Sequence, residues 1–194
     1  DGSVVTWGSS DFGGDSGGNP HSTDPALKSL HTQLQGCITN IYSTETAFAA
    51  ITRNGAVIAW GGVPSGGEIT FPYSGCNVPP AAGGDWDEAR GQEVKEQLQG
   101  NVIKIYSTPT AFAALKSDGS VVTWGNPQEG GDSSGAQNQL SEGVTHITSN
   151  MRAFAALKND GSVITWGEYE CGGDCTRSHE YKGSAREHLQ GKQV

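Results

Sequence analysis

Short apolar runs alternate with turn-forming residues along the whole chain, and the same run keeps returning. Asp118–Gly125 reads DGSVVTWG, Asp1–Gly8 is identical, and Asn54–Gly61 (NGAVIAWG) and Asp160–Gly167 (DGSVITWG) are close copies. Upstream of three of them stand AFAAI at Ala47–Ile51 and AFAAL at Ala111–Leu115 and Ala153–Leu157. Apolar, β-branched-rich segments on either side of Asp-Gly or Asn-Gly predict a β-hairpin. With Asp118 and Gly119 as a two-residue turn, both at positive φ, Ser117 faces Ser120, Leu115 faces Val122 and Ala113 faces Trp124. On that register Ala111, Ala113, Leu115, Val122 and Trp124 share one face, and a small Ala sits opposite each Trp, again at Ala49/Trp60 and Ala155/Trp166.

Further elements repeat around this hairpin. An alternating run precedes it at Ile38–Tyr42, Val102–Tyr106 and Val144–Thr148, which predicts a third strand per unit. Gly-Gly-Asp follows it at Gly13–Asp15, Gly83–Asp85, Gly130–Asp132 and Gly172–Asp174. Then comes a short predicted helix: Pro25 at its first turn, Leu27, Leu30 and Leu34 on one face, Gly36 at its end, with a more polar counterpart over Asp87–Gln99. Trp7, Trp60, Trp124 and Trp166 are spaced 53, 64 and 42 residues apart, so 42 is the bare repeat and the rest is insertion. In the second unit Gly62–Ala82 replaces the usual four-residue connection. Residues 1–194 thus read as one mainly β repeat domain of about 3.5 tandem hairpin units with short helices between them. The chain opens in mid-repeat and stops before a fourth hairpin pair is complete, so a fragment of a longer protein is expected.

Composition narrows the function. Gly makes up 29 of 194 residues, which suits short strands and tight turns rather than a large helical core. The net charge of −9 and the lack of a Lys/Arg cluster argue against nucleic acid as a partner. No run of about 18 apolar residues is present to cross a membrane as a helix. The even number of cysteines, four, favours a non-cytosolic compartment.

The combination AFAAL-x-x-DG-S-V-V-T-W-G resembles the repeats of the regulator-of-chromosome-condensation type, and in particular divergent repeat-rich proteins of unicellular algae. The resemblance implies β-propeller blades and, by family name alone, regulation of nucleotide exchange on a small GTPase. Two departures stand out. Gly-Gly-Asp and a helix replace the family's G-x-L-G segment and outer strand, and three and a half units do not close a seven-bladed ring. A β-solenoid or prism of the same units is the alternative architecture.

Candidate chemistry is sparse. Cys171, Cys175 and His179 form a C-x3-C-x3-H cluster near Glu168 and Glu170, a candidate zinc site that lacks a second separated ligand pair. A Cys171–Cys175 disulfide is the simpler reading, and Cys37 and Cys76 form another candidate pair. Asp15, Asp85, Asp132 and Asp174 are expected to cap turns or the following helix, with calcium as the alternative. Trp7, Trp60, Trp124 and Trp166, at one fixed place in the repeat, are expected in the core. Phe71, Tyr73 and Trp86 lie outside the hairpins and are candidates for an exposed aromatic binding patch. No nucleophile motif surrounds His21, His31, His146, His179 or His188, and no phosphate-cradling loop is recognisable, so neither catalysis nor a cofactor is expected. The expected role is a protein–protein interaction or scaffold module, as in a peripheral subunit, binding through its insertion loops. Extracellular glycan or calcium binding is the alternative.

Overall fold

The protein is described from a computed structural model, whose described residues are 2–16, 25–62, 68–69 and 88–174. Its second to fourth units each contain an antiparallel sheet built from consecutive strands. The second comprises β1 (Ile38–Ser43), β2 (Ala47–Thr52), β3 (Val57–Gly61) and the two-residue β4 (Glu68–Ile69), in that order. The third comprises β5 (Val102–Ser107), β6 (Ala111–Lys116) and β7 (Val121–Gly125). The fourth comprises β8 (Val144–Ser149), β9 (Ala153–Lys158) and β10 (Val163–Gly167). Helices α1 (Pro25–Gln33), α2 (Glu88–Gln97) and α3 (Gln137–Leu140) occupy the connections between units. The mainly β repeat of propeller-like hairpin blades with inter-unit helices is therefore the observed architecture.

The hairpin register differs from the sequence expectation by one residue. Phe112 lies opposite Trp124, Ala113 opposite Thr123 and Leu115 opposite Val121. The same pairing sets Phe48 against Trp60 and Phe154 against Trp166. The cause is the turn. Lys116 N–H donates to the Ser120 carbonyl at 2.9 Å and Gly119 N–H to the Lys116 carbonyl at 3.0 Å, so the loop holds three residues, not two. Only Gly119 takes positive φ, at +80°, and Asp118 stays on the ordinary side, which makes this a type I turn closed by a glycine bulge. The Asp118 carboxylate accepts from Ser120 N at 2.9 Å and Ser120 Oγ at 2.6 Å, and Asp160 does the same with Ser162 at 2.8 and 2.6 Å. These bonds hold the Asp118 and Asp160 carboxyls below the usual carboxylate range.

The corrected register changes what packs. Each Phe and Trp stack across the hairpin, with ring centroids 5.1 to 5.4 Å apart and planes within 16 to 23° of parallel. Phe112, Ala114, Val122 and Trp124 share one face and one core with Ala47, Ala49, Ile51, Val57 and Ala59 of the preceding unit. The other face of that hairpin (Ala111, Ala113, Leu115 and Val121) joins Phe154, Ile164 and Trp166 of the following unit. Small residues thus face the aromatic pair of the next unit rather than the Trp of their own hairpin. Leu30 and Leu34, Leu98, and Leu140 from the three connections are buried in successive cores. Each first strand carries a bulge at its second residue, where Thr39 and Thr145 bond back to the Ile51 and Leu157 carbonyls. No helix among the described residues is long and apolar enough to cross a membrane.

Two predictions follow from the turn and the stack. A double-mutant cycle of Phe112→Leu and Trp124→Leu, measured by urea unfolding, should give a coupling of about 0.5–1.5 kcal/mol. A coupling indistinguishable from zero would contradict the register. For the turns, a depressed folded pKa contributes stability above the unfolded aspartate value near ~4 and loses it as pH falls through the lower folded value. The Asp118→Asn/Asp160→Asn double variant should therefore lose less stability than the parent between about pH 5 and 2, read as urea midpoints against pH.

Candidate functional site

A repeated polar arrangement lies at the seam between units, and it is built from the Trp-Gly and Gly-Gly-Asp motifs. After Trp7-Gly8, Trp124-Gly125 and Trp166-Gly167 the chain makes a single 3-10 turn, at Ser10–Phe12, Pro127–Glu129 and Tyr169–Cys171, and reverses on a positive-φ glycine. Gly13 and Gly130 sit on the aromatic pair of the next unit. Trp60 Nε1 donates to the Gly13 carbonyl and Trp166 Nε1 to the Gly130 carbonyl, each at 3.1 Å. A Cβ on Gly130 would lie 2.5 Å from Phe154 Cδ2, and one on Gly13 would lie 2.9 Å from Phe48 Cδ2. Trp124 Nε1 is buried and has no partner among the described residues. The carbonyl that the repeat would set beside it belongs to Gly83, outside the described residues.

A hydroxyl pair reinforces the same turn. Thr123 Oγ1 lies 3.1 Å from the Gly131 carbonyl and 3.0 Å from Ser133 Oγ, with both side chains buried. Thr6 and Ser16 form the matching pair in the first unit at 2.6 Å. The sequence carries this signal as Thr before Trp-Gly and Ser after Gly-Gly-Asp, a pairing that attention to the glycines alone overlooks. Beside it, Asp132 Oδ1 accepts from Ser134 N at 2.8 Å, at the start of the 3-10 turn Ser134–Ala136. Asp15 and Asp174 are partly buried in the corresponding turns, and Asp85 lies outside the described residues.

A second surface runs across the first strands. Ser107 Oγ donates to the Ser43 carbonyl at 2.8 Å and Ser149 Oγ to the Ser107 carbonyl at 2.7 Å, linking three units edge to edge. On the outward positions of the same strands, Lys104 Nζ stands 4.8 Å above the Tyr106 ring, whose edge meets His146 at 5.6 Å. Ile103, exposed at its bulge, lies next to this row. The ladder serines recur in all three units, whereas positions 40, 104 and 146 carry Asn, Lys and His, so the repeat pattern did not mark that row.

The cysteine cluster is not assembled as a metal centre among the described residues. Cys171 is a free thiol, which corrects the expected Cys171–Cys175 disulfide. Cys175 and His179 lie outside the described residues. Glu168 accepts from Arg152 at 2.8 Å, and Arg152 in turn lies 3.4 Å from Glu129. Arg152 holds the Glu168 carboxyl below its usual range, whereas desolvation and then the Glu168 charge push the Cys171 thiol up. Among the described residues no group of three or more His, Cys, Asp or Glu side chains is placed to hold a metal ion. Cys37 is disulfide-bonded, and its partner lies outside the described residues.

The tryptophans divide. Trp60, Trp124 and Trp166 are buried, but Trp7 is exposed, against the expectation of a core position. Phe71, Tyr73 and Trp86, the candidate aromatic patch, lie outside the described residues.

These hairpins, stacked through aromatic pairs and glycine turns, define a class of tandem β-blade repeat. No family model and no curated protein matches the chain. Similar solved structures include human WBSCR16, at 17% identity over 69% of this chain and 33% of that one, with a TM-score of 0.46. Prp20p from Saccharomyces cerevisiae, the yeast RCC1, is similar at 17% identity over 70% of this chain and 32% of that one, with a TM-score of 0.41. The computationally designed Ika4 protein is similar at 17% identity over 77% and 76% of the two chains, with a TM-score of 0.37. The chain spans about a third of the length of the two natural proteins. The resemblance to regulator-of-chromosome-condensation repeats thus recurs among solved structures.

Gly130 and Gly172 offer an internal control for the seam. Both take positive φ, at +104° and +90°, but a Cβ on Gly172 meets nothing within 4 Å. Gly172→Ala should cost only the backbone strain, about 1 kcal/mol, whereas Gly130→Ala should cost about 1–3 kcal/mol more by driving into Phe154. Urea unfolding of the two variants tests this, and equal losses would mean that the turn does not seat on the ring.

Proposed function

We propose that the chain is a non-enzymatic protein-binding repeat module, of the kind that serves as a peripheral subunit, and that it engages its partner through the insertion of the second unit. The observation that supports this is where the insertion lies. Gly62–Ala82 leaves the frame immediately after Gly61, the point at which the other units make a four-residue connection. The hairpins on either side keep one register, with Phe48 opposite Trp60 and Phe112 opposite Trp124. Within the insertion Glu68–Ile69 adds an edge strand to β3, with Ile69 opposite Ala59 and Glu68 opposite Trp60. A rigid frame that carries a variable connection without changing its own packing is how repeat proteins separate stability from specificity. Phe71, Tyr73 and Trp86 supply the aromatic side chains that protein interfaces favour. The acidic balance favours a basic protein partner over nucleic acid.

Replacing residues 62–82 with the Asn-Pro-Gln-Glu connection of the third unit tests the proposal. The melting temperature should move by no more than about 3 °C. Capture of the native binding protein, isolated on the parent chain and identified by mass spectrometry, should fall at least tenfold. Undiminished capture by the folded variant would remove the insertion from the binding site.

A further inference from the structure

The first strands of the three sheets break alternation at one shared place. In β5 Val102 lies opposite Lys116 and Lys104 opposite Leu115, so Ile103 is an extra residue with no opposite number. Val102 and Ile105 are buried, while Ile103 and Lys104 between them are both exposed, a pattern that unbroken alternation does not produce. In the neighbouring units the same bulge holds Thr39 and Thr145, whose hydroxyls bond back to the Ile51 and Leu157 carbonyls at 3.0 and 3.1 Å. Ile103 has no hydroxyl to give, and it leaves 59% of its surface exposed. The third unit therefore forgoes a bond that its neighbours keep and shows an apolar side chain to water. This happens inside the array, because the serine ladder joins β5 to β1 on one side and to β8 on the other.

The polar groups beside Ile103 are donors that the protein leaves unused. Lys104 and His146 are exposed, and Tyr106 is partly so. Ring contacts set their positions, with Lys104 Nζ 4.8 Å above the Tyr106 centroid and His146 against the edge of that ring. Among the described residues, none of the three side chains makes a hydrogen bond or an ion pair. Each carries a donor: the ammonium, the phenol O–H and, in either protonation state, an imidazole N–H. β1, β5 and β8 contain no Asp or Glu, although the chain has a net charge of −9. On an acidic molecule these strands carry an ammonium and no carboxylate, the complement of an acidic ligand.

We propose that Ile103, Lys104, Tyr106 and His146 form a docking site for an extended segment of a partner protein with a carboxylate two residues from an apolar side chain. Residues two apart on an extended segment share one face, which matches the adjacent exposure of Lys104 and Ile103 at the bulge. The carboxylate takes the Lys104 ammonium, with the Tyr106 hydroxyl and the His146 N–H as further donors. The apolar side chain covers Ile103. The serine ladder already fixes the strands beneath, so little ordering of this protein is left for binding to impose. The site does not involve the insertion of the second unit, and either can fail without the other.

The test uses the 194-residue chain and a blocked synthetic peptide, Ser-Leu-Thr-Glu-Ser, followed by NMR. Titration should shift the Ile103 methyl and His146 ring signals saturably. The same peptide with Gln in place of Glu should bind at least tenfold more weakly, as should the parent peptide to Lys104→Gln. Ile103→Thr, which installs the residue of the neighbouring units, should unfold at no lower urea concentration than the parent and yet bind several-fold more weakly, read on the His146 ring. Replacing residues 62–82 should leave peptide affinity unchanged. No saturable shift, equal binding of the Gln peptide, or undiminished affinity in Lys104→Gln or Ile103→Thr would each overturn the proposal. So would loss of peptide binding on replacement of residues 62–82, since the segment would then sit on the insertion.

Discussion

The structure depends on one contact, the Phe–Trp stack carried across each hairpin, because it works within a unit and between units at once. Within the hairpin it pairs the two largest side chains of adjacent strands, at 5.1 Å between Phe112 and Trp124. Between units it presents a flat aromatic floor on which only a glycine can sit, and Gly13 and Gly130 do so while their carbonyls take the indole protons of Trp60 and Trp166. Burying rings of this size supplies the largest share of apolar stabilisation that a chain so rich in Ala and Gly can gather. The alanines follow from the same contact. A strand that must lie against two stacked rings has room for methyl groups and little else.

This accounts for what could be read from the sequence and what could not. The strands, the helices of the connections and the repeat frame were legible, because period-2 alternation, Asp-Gly turns and recurring motifs each report one local geometry. The register was not. Asp-Gly fits a two-residue turn and also a three-residue turn with a glycine bulge, and only the bonds of Lys116 with Ser120 and Gly119 distinguish them. Shifting the pairing by one residue exchanges Ala113 for Phe112 opposite Trp124, which turned an expected Ala–Trp fit into an aromatic stack.

The candidate site was legible in a different proportion. Thr123 and Ser133 repeat Thr6 and Ser16 at a constant separation, so a search for paired positions, not only for conserved glycines, finds the turn's hydroxyl bond in the sequence. Trp7 marks the opposite case. Its motif is identical to that around Trp124, yet Trp7 is exposed and Trp124 is buried. No property of the motif itself could have told the two apart. Context decides burial.

A frame constrained in this way also determines where function can reside. Gly119, Gly125 and Gly130 each have heavy atoms within 2.7 Å of where a Cβ would stand, and the alanines of β2 and β6 are fully enclosed, so substitution at any of them disturbs a seam. Two kinds of position escape. One is the connection after Trp-Gly, which absorbs Gly62–Ala82 in one unit without disturbing the hairpins. The other is the outward side of the first strands, where Asn40, Lys104 and His146 occupy one structural position with three different chemistries. There the Ser43–Ser107–Ser149 ladder fixes the backbones while the side chains remain free to differ. Recognition in such a protein therefore varies along two lines, the loops and the first-strand row.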